Sequence, residues 1–102
     1  MKSEEIKASI FVALKNRGFN VEMNKSIYLP SKVRGYQRVV LDLVFLTQSG
    51  DIQAVFYTGK RKDRKLIKHR MAKRKLFEVN TEQDINRTLI EFQEWVITNF
   101  KV

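Results

Sequence analysis

The stretch 36-YQRVVLDLVFLTQSGDIQAVFYT-58 decides the fold. From Val39 to Leu46 every position except Asp42 is apolar, the pattern of a strand covered on both faces. Gln48, Ser49, Gly50 and Asp51 are turn formers, and Ile52 to Thr58 resumes with β-branched and aromatic side chains, so Tyr36 to Thr47 and Ile52 to Thr58 are expected to pair as an antiparallel hairpin.

Working toward the N-terminus, Ser31 to Gly35 and Pro30 read as a mobile basic loop, preceded by an extended Ile27 to Leu29. Asn24 to Ser26 is expected to turn after a short strand in which Phe19, Val21 and Met23 alternate. Before it, Ile6, Ile10, Ala13 and Leu14 recur at helical spacing. Ser3 stands as a capping hydroxyl, Glu4 and Glu5 lie near the positive end of the dipole, and Gly18 is the stop.

Toward the C-terminus, Asp63 to Lys75 is expected to be helical, with Leu66, Ile67 and Met71 as a narrow apolar stripe. Leu76 to Val79 is a short strand. Thr81 and Asp84 resemble a capping box opening a last helix, whose stripe is Ile85, Leu89, Phe92 and Val96, with Trp95 and Phe100 at its margin. The order αβββαβα predicts an α/β sandwich around a small mixed sheet, one domain over residues 1–102.

Composition bounds the function. The 102 residues are 43% hydrophobic and 30% charged, with 4 Gly and 1 Pro, which suits a single folded core and excludes collagen-like and disordered classes. Zero Cys removes disulfides, thiolate metal sites and cysteine nucleophiles. Two glutamates stand where a signal peptide needs a basic flank, and no apolar run approaches the roughly 18 residues of a membrane span, so a cytoplasmic protein without membrane contact is expected.

The net charge of +9 is concentrated in one place. Residues 59–75, GKRKDRKLIKHRMAKRK, hold ten basic residues (Lys60, Arg61, Lys62, Arg64, Lys65, Lys68, Arg70, Lys73, Arg74 and Lys75) and one acid, Asp63, and the rest of the chain is neutral. A solvated helix face usually balances its charges through i,i+4 pairs, and one carboxylate cannot balance ten cations. The segment is therefore expected to bind the phosphate backbone of a nucleic acid, DNA first. His69 sits between Lys68 and Arg70, which disfavours metal ligation. One histidine and no cysteine leave no nucleophile assembly of the serine-histidine-aspartate type. TGKRK lacks the glycine-rich lead of a phosphate loop.

Asp42 is out of place between Leu41 and Leu43. By alternation it shares a face with Val40 and Val44, where a carboxylate loses hydration unless it is paired, protonated or bound to a metal. Either it reaches solvent and meets Arg38, Lys60 or Lys62, or it belongs to a site.

On these residues the chain resembles a family. EEIKASIFVALKNRGFNV is similar to the first helix and strand of the restriction-endonuclease-like PD-(D/E)xK nucleases, particularly the archaeal Holliday-junction resolvases. VVLDLVFLTQSGDIQAVFYTGKRKD is similar to their core hairpin. The resemblance covers roughly residues 3–80 and implies a restriction-endonuclease-like fold with Asp42 as the metal-binding aspartate. It also implies a second acid and a lysine on the next strand, and those slots fall on Phe56 and Thr58. The usual proline before the aspartate is Leu41, and the first-helix glutamate slot falls on Lys7, with Glu4 one turn earlier.

The leading expectation is thus a nucleic-acid-binding protein on a nuclease-like scaffold with a lost or altered active site and no cofactor. The first alternative is a magnesium-dependent endonuclease with a migrated site, using Asp42, Gln53 and Lys60 for catalysis and Asp42 with Glu4 for the metal. The second is a protein-interaction module of viral or mobile-element origin, using Ser26 to Gly35 as an exposed edge. A homodimer is compatible with each.

Overall fold

The computed structural model describes residues 2–33 and 35–100. The elements follow the order α1 (Ser3–Asn16), β1 (Val21–Ser31), β2 (Gly35–Leu46), β3 (Ile52–Tyr57), α2 (Arg64–Arg70), β4 (Lys75–Glu78) and α3 (Asp84–Asn99). The sheet has the strand order β1-β2-β3-β4. The first three strands are antiparallel neighbours and β4 runs parallel to β3, so this is the expected α/β domain around a mixed sheet.

Two apolar layers sandwich the sheet. Ile6, Ile10 and Leu14 of α1 and Leu89 and Phe92 of α3 pack with Leu43, Ala54, Phe56 and Phe77 on one face. On the other face Ile67 and Met71 of the α2 region pack with Val44, Leu46 and Val55. Phe92 is fully buried, and Phe19, Phe45, Phe56, Phe77 and Trp95 surround it with ring centroids 5.1 to 5.9 Å away. Trp95 is thus part of the core's wall.

Local signals explain the element ends. The helix α1 closes in a Schellman motif. The Gly18 amide donates to the Lys15 carbonyl and the Phe19 amide to the Leu14 carbonyl, both at 3.0 Å. Gly18 takes φ +85°, which a side chain would strain. At the start of α1 Ser3 makes no cap bond; it is the first helical residue. Before α3 the Asp84 carboxylate accepts from the Asn80 and Thr81 amides at 2.9 and 3.0 Å, the acidic half of the expected capping box.

Three expectations need correction. First, β1 has no turn at residues 24–26: it runs eleven residues to Ser31 and pairs with β2 from Val21↔Phe45 to Ser31↔Gly35. The expected loop at 31–35 is the tight connection of this ribbon, with Arg34 outside the described residues. Pro30 is tolerated because β1 is an edge strand. Second, α2 ends at Arg70; Met71 to Arg74 turn, and Lys75 already belongs to β4. Like charges along the segment oppose a longer helix, and β4 must return beside β3. Third, β2 is not covered on both faces throughout, since Val40 is 36% exposed.

The ribbon changes faces at Asp42. Met23 and Leu43 belong to the α1/α3 layer, whereas Ile27, Leu29, Val39 and Leu41 belong to the α2 layer, although all six positions are odd. The register is the same on both sides of this step. The rung that absorbs the change holds Asp42 and, opposite it, Asn24, the one described non-glycine residue with positive φ (56°). Asp42 therefore does not share a face with Val44, which lies buried in the α2 layer.

Candidate functional site

The face change turns Asp42 toward the N-terminal end of α1. There it lines a recess of about 50 Å³ together with Ser3, Glu4 and Lys7 of α1, Leu43, and Phe56 and Thr58 at the end of β3. Such a volume takes a few water-sized groups and no nucleotide. The slots assigned by the resemblance (Asp42, Phe56, Thr58 and the first-helix pair Glu4 and Lys7) thus converge on one place in the fold.

The charges in that place are already matched. Lys7 Nζ lies 2.8 Å from Glu4 Oε2 and donates to Asn24 Oδ1 at 2.7 Å, with its side chain only 9% exposed. Asp42 Oδ2 lies 3.1 Å from Arg61 Nη1. Arg61 also forms a fork on Asp63, donating from Nε to Oδ1 and from Nη2 to Oδ2, each at 2.8 Å. Burial pulls the Arg61 pKa down, but the Asp63 hydrogen bond and the Asp42 and Asp63 charges outweigh it, so the guanidinium is held charged above its ordinary range.

A magnesium ion does not suit these residues. Both carboxylates in the recess, Asp42 and Glu4, face a cation of the protein's own, and the acid and lysine slots hold Phe56 and Thr58. A hard divalent ion needs several oxygen donors in octahedral array. Among the described residues no cluster of three or more His, Asp or Glu side chains could hold a metal. Thr58 is engaged elsewhere: its Oγ1 donates to Asn80 Oδ1 at 3.2 Å, beside the Gly59 amide at 2.7 Å.

Gln53 and Lys60, the other members of the migrated site, do not line the recess, and Lys60 forms no described ion pair with Asp42. Gln53 lines a separate recess with Lys73, Arg74, Lys75, Trp95 and Phe100. Alternation along β3 separates it from Phe56. Lys60 is exposed in the turn after β3.

The basic segment is distributed over a turn, a short helix, a second turn and the start of β4. Eight of its ten cations are exposed: Lys60, Lys62, Arg64, Lys65, Lys68, Lys73, Arg74 and Lys75. None of the eight has a carboxylate partner among the described ion pairs. The other two are withdrawn. Arg61, expected on phosphate, is 16% exposed and tied to Asp42 and Asp63. Arg70 is half-buried, with Nε buried and unpartnered. Sequence reasoning offered Arg38, Lys60 and Lys62 as partners for Asp42 and missed Arg61 between the last two; its two-residue spacing from Asp63 marks the local fork and not the reach to Asp42.

No helix among the described residues is long and apolar enough to cross a membrane. No family model matches this chain, no curated protein matches it, and no solved structure matches it.

Proposed function

We propose that this protein binds nucleic acid through the exposed cations of residues 60–75 and does not cleave it, on a restriction-endonuclease-like scaffold whose catalytic positions have become structural. The observation that carries the reading is the combination of eight exposed, unpaired cations with the withdrawal of Asp63, the segment's one acid, into the Arg61 fork. Among the described residues no carboxylate pairs with these eight cations, and a polyphosphate neutralises them with release of its counterions. A Lys-rich surface with few amide side chains reads backbone and not base edges, so binding is indifferent to duplex sequence.

The test is duplex affinity against salt. Replacing Lys60, Lys62, Lys65 and Lys68 together by Ala flattens the slope of log affinity against log salt by up to about 3.6, at about 0.9 per phosphate contact. An unchanged slope refutes the assignment. Incubation of the same protein with plasmid and branched DNA in magnesium or manganese leaves both intact; cleavage that disappears in Asp42→Asn establishes the endonuclease instead.

A further inference from the structure

The β1–β2 ribbon has one face that the core does not use. Its odd positions Leu29, Val39 and Leu41 are buried in the α2 layer. Its even positions are exposed from Ser26 to Pro30 and from Tyr36 to Val40. Tyr28 is 68% and Tyr36 67% exposed. The register sets Tyr28 opposite Arg38 and Pro30 opposite Tyr36, so the two rings are diagonal neighbours with a guanidinium beside them. Arg38 donates to Ser26 Oγ at 3.0 Å and has no partner among the described ion pairs. Between Glu22 and Asp42 the chain contains Lys25, Lys32, Arg34 and Arg38 and no acid.

This face, opposite the α2 layer, reaches the basic segment at one point, its first turn. Along β2 the exposed side runs Tyr36, Arg38, Val40, Asp42, and Asp42 meets Arg61 between Lys60 and Lys62. The path from Asp42 to Tyr36 is about 20 Å at the usual strand rise. The exposed side carries one guanidinium without a carboxylate partner among the described ion pairs, Arg38, and runs from the Asp42–Arg61 pair to two outward-facing rings.

We infer that the Tyr28–Tyr36–Arg38 face of the ribbon is a platform for unpaired bases, so that the ligand of this protein is single-stranded nucleic acid or the single-stranded part of a branched one. The inference rests on the proposed nucleic-acid binding and specifies its ligand. Tyrosine rings stack on any base whose face is free, the arginine adds cation–π and phosphate contacts, and bases inside a duplex present no free face. Charge complementarity favours this occupant, because between Glu22 and Asp42 the ribbon carries cations and no acid.

The probes are a labelled twenty-residue oligothymidine and a duplex of the same length, titrated by fluorescence anisotropy. In the Tyr28→Ala/Tyr36→Ala double variant, affinity for the single strand falls about tenfold or more, while affinity for the duplex stays within about twofold. The unchanged duplex affinity also reports that the variant is folded. Tyr28→Phe/Tyr36→Phe keeps the rings and retains single-strand affinity. If the alanine variant binds the single strand as the wild type does, the platform is refuted, while duplex binding with its salt slope leaves the basic-segment reading standing. If the two alanine substitutions weaken both ligands equally, the ribbon is a general electrostatic or structural contact and the platform is again refuted. Wild-type protein that binds neither ligand overturns both readings.

Discussion

Asp42 and Arg61 show what a single misplaced residue means in this protein. A carboxylate in a central strand carries a desolvation cost that a nearby cation offsets, and Arg61 meets it from the turn after β3 while holding Asp63 at the same time. Removing the guanidinium leaves two partly buried carboxylates without the cation that pairs with both. Arg61→Ala therefore destabilises the fold by about 1–2 kcal/mol, less than a fully buried pair would lose because both carboxylates keep some water. Lys62→Ala, on the exposed side of the same turn, stays within about 0.5 kcal/mol. Urea denaturation of the two variants checks the contrast, and equal stabilities would show that the Arg61 fork contributes nothing. Asp42→Asn leaves Arg61 its Asp63 partner and preserves duplex binding, measured by the same anisotropy titration.

The start of α3 shows an element whose cap responds to protonation. The Asn80 and Thr81 amides donate to Asp84 and, with the Arg87 charge, hold its pKa below the usual carboxylate range against a smaller opposing effect of burial. A folded-state pKa below the unfolded one means that the carboxylate stabilises the native state above the unfolded value of about 3.9, and that this contribution is lost as pH falls through the depressed folded value. Acid titration of wild type and Asp84→Asn checks this: the wild-type advantage is present at neutral pH and declines progressively as pH falls below about 4. A difference between the two that is constant down to pH 2 would contradict it. The acid was legible in the sequence as part of a capping box, whereas the strand β1 was not legible in full. Asn24 and Pro30 are both turn formers, and only pairing with β2 across the whole register overrides their local preference.

On the scale of the whole molecule, one aromatic cluster ties α3 to the sheet. Phe92 is fully buried and contacts rings from β2, β3 and β4, so a cavity there cannot close by moving one element. Phe92→Ala costs about 3–5 kcal/mol, a large share of the 5–15 kcal/mol that holds a domain of this kind together. The expected readout is a matching drop in the denaturant midpoint with loss of near-ultraviolet circular dichroism. A drop below about 1 kcal/mol would show that α3 is dispensable to the core. The surfaces proposed to bind nucleic acid lie outside this cluster, on the turn, α2 and the ribbon, so charge and tyrosine variants there can be read without loss of the fold.

Hydrophobic pattern and turn chemistry determined the element order, the β2–β3 hairpin and the stripe of α3, because each depends on neighbours within a few residues. The charge excess of residues 59–75 was equally legible, since charge is a property of composition. Tertiary structure decided the rest. The change of face at the Asn24/Asp42 rung, the capture of Asp42 by Arg61, the placement of Gln53 in a separate recess, and the exposure of Tyr28 and Tyr36 depend on which strand lies beside which and on where α2 packs. Alternation along one strand carries no information about a twist shared by two, and no spacing in the chain states which of several adjacent cations will reach a carboxylate across the sheet.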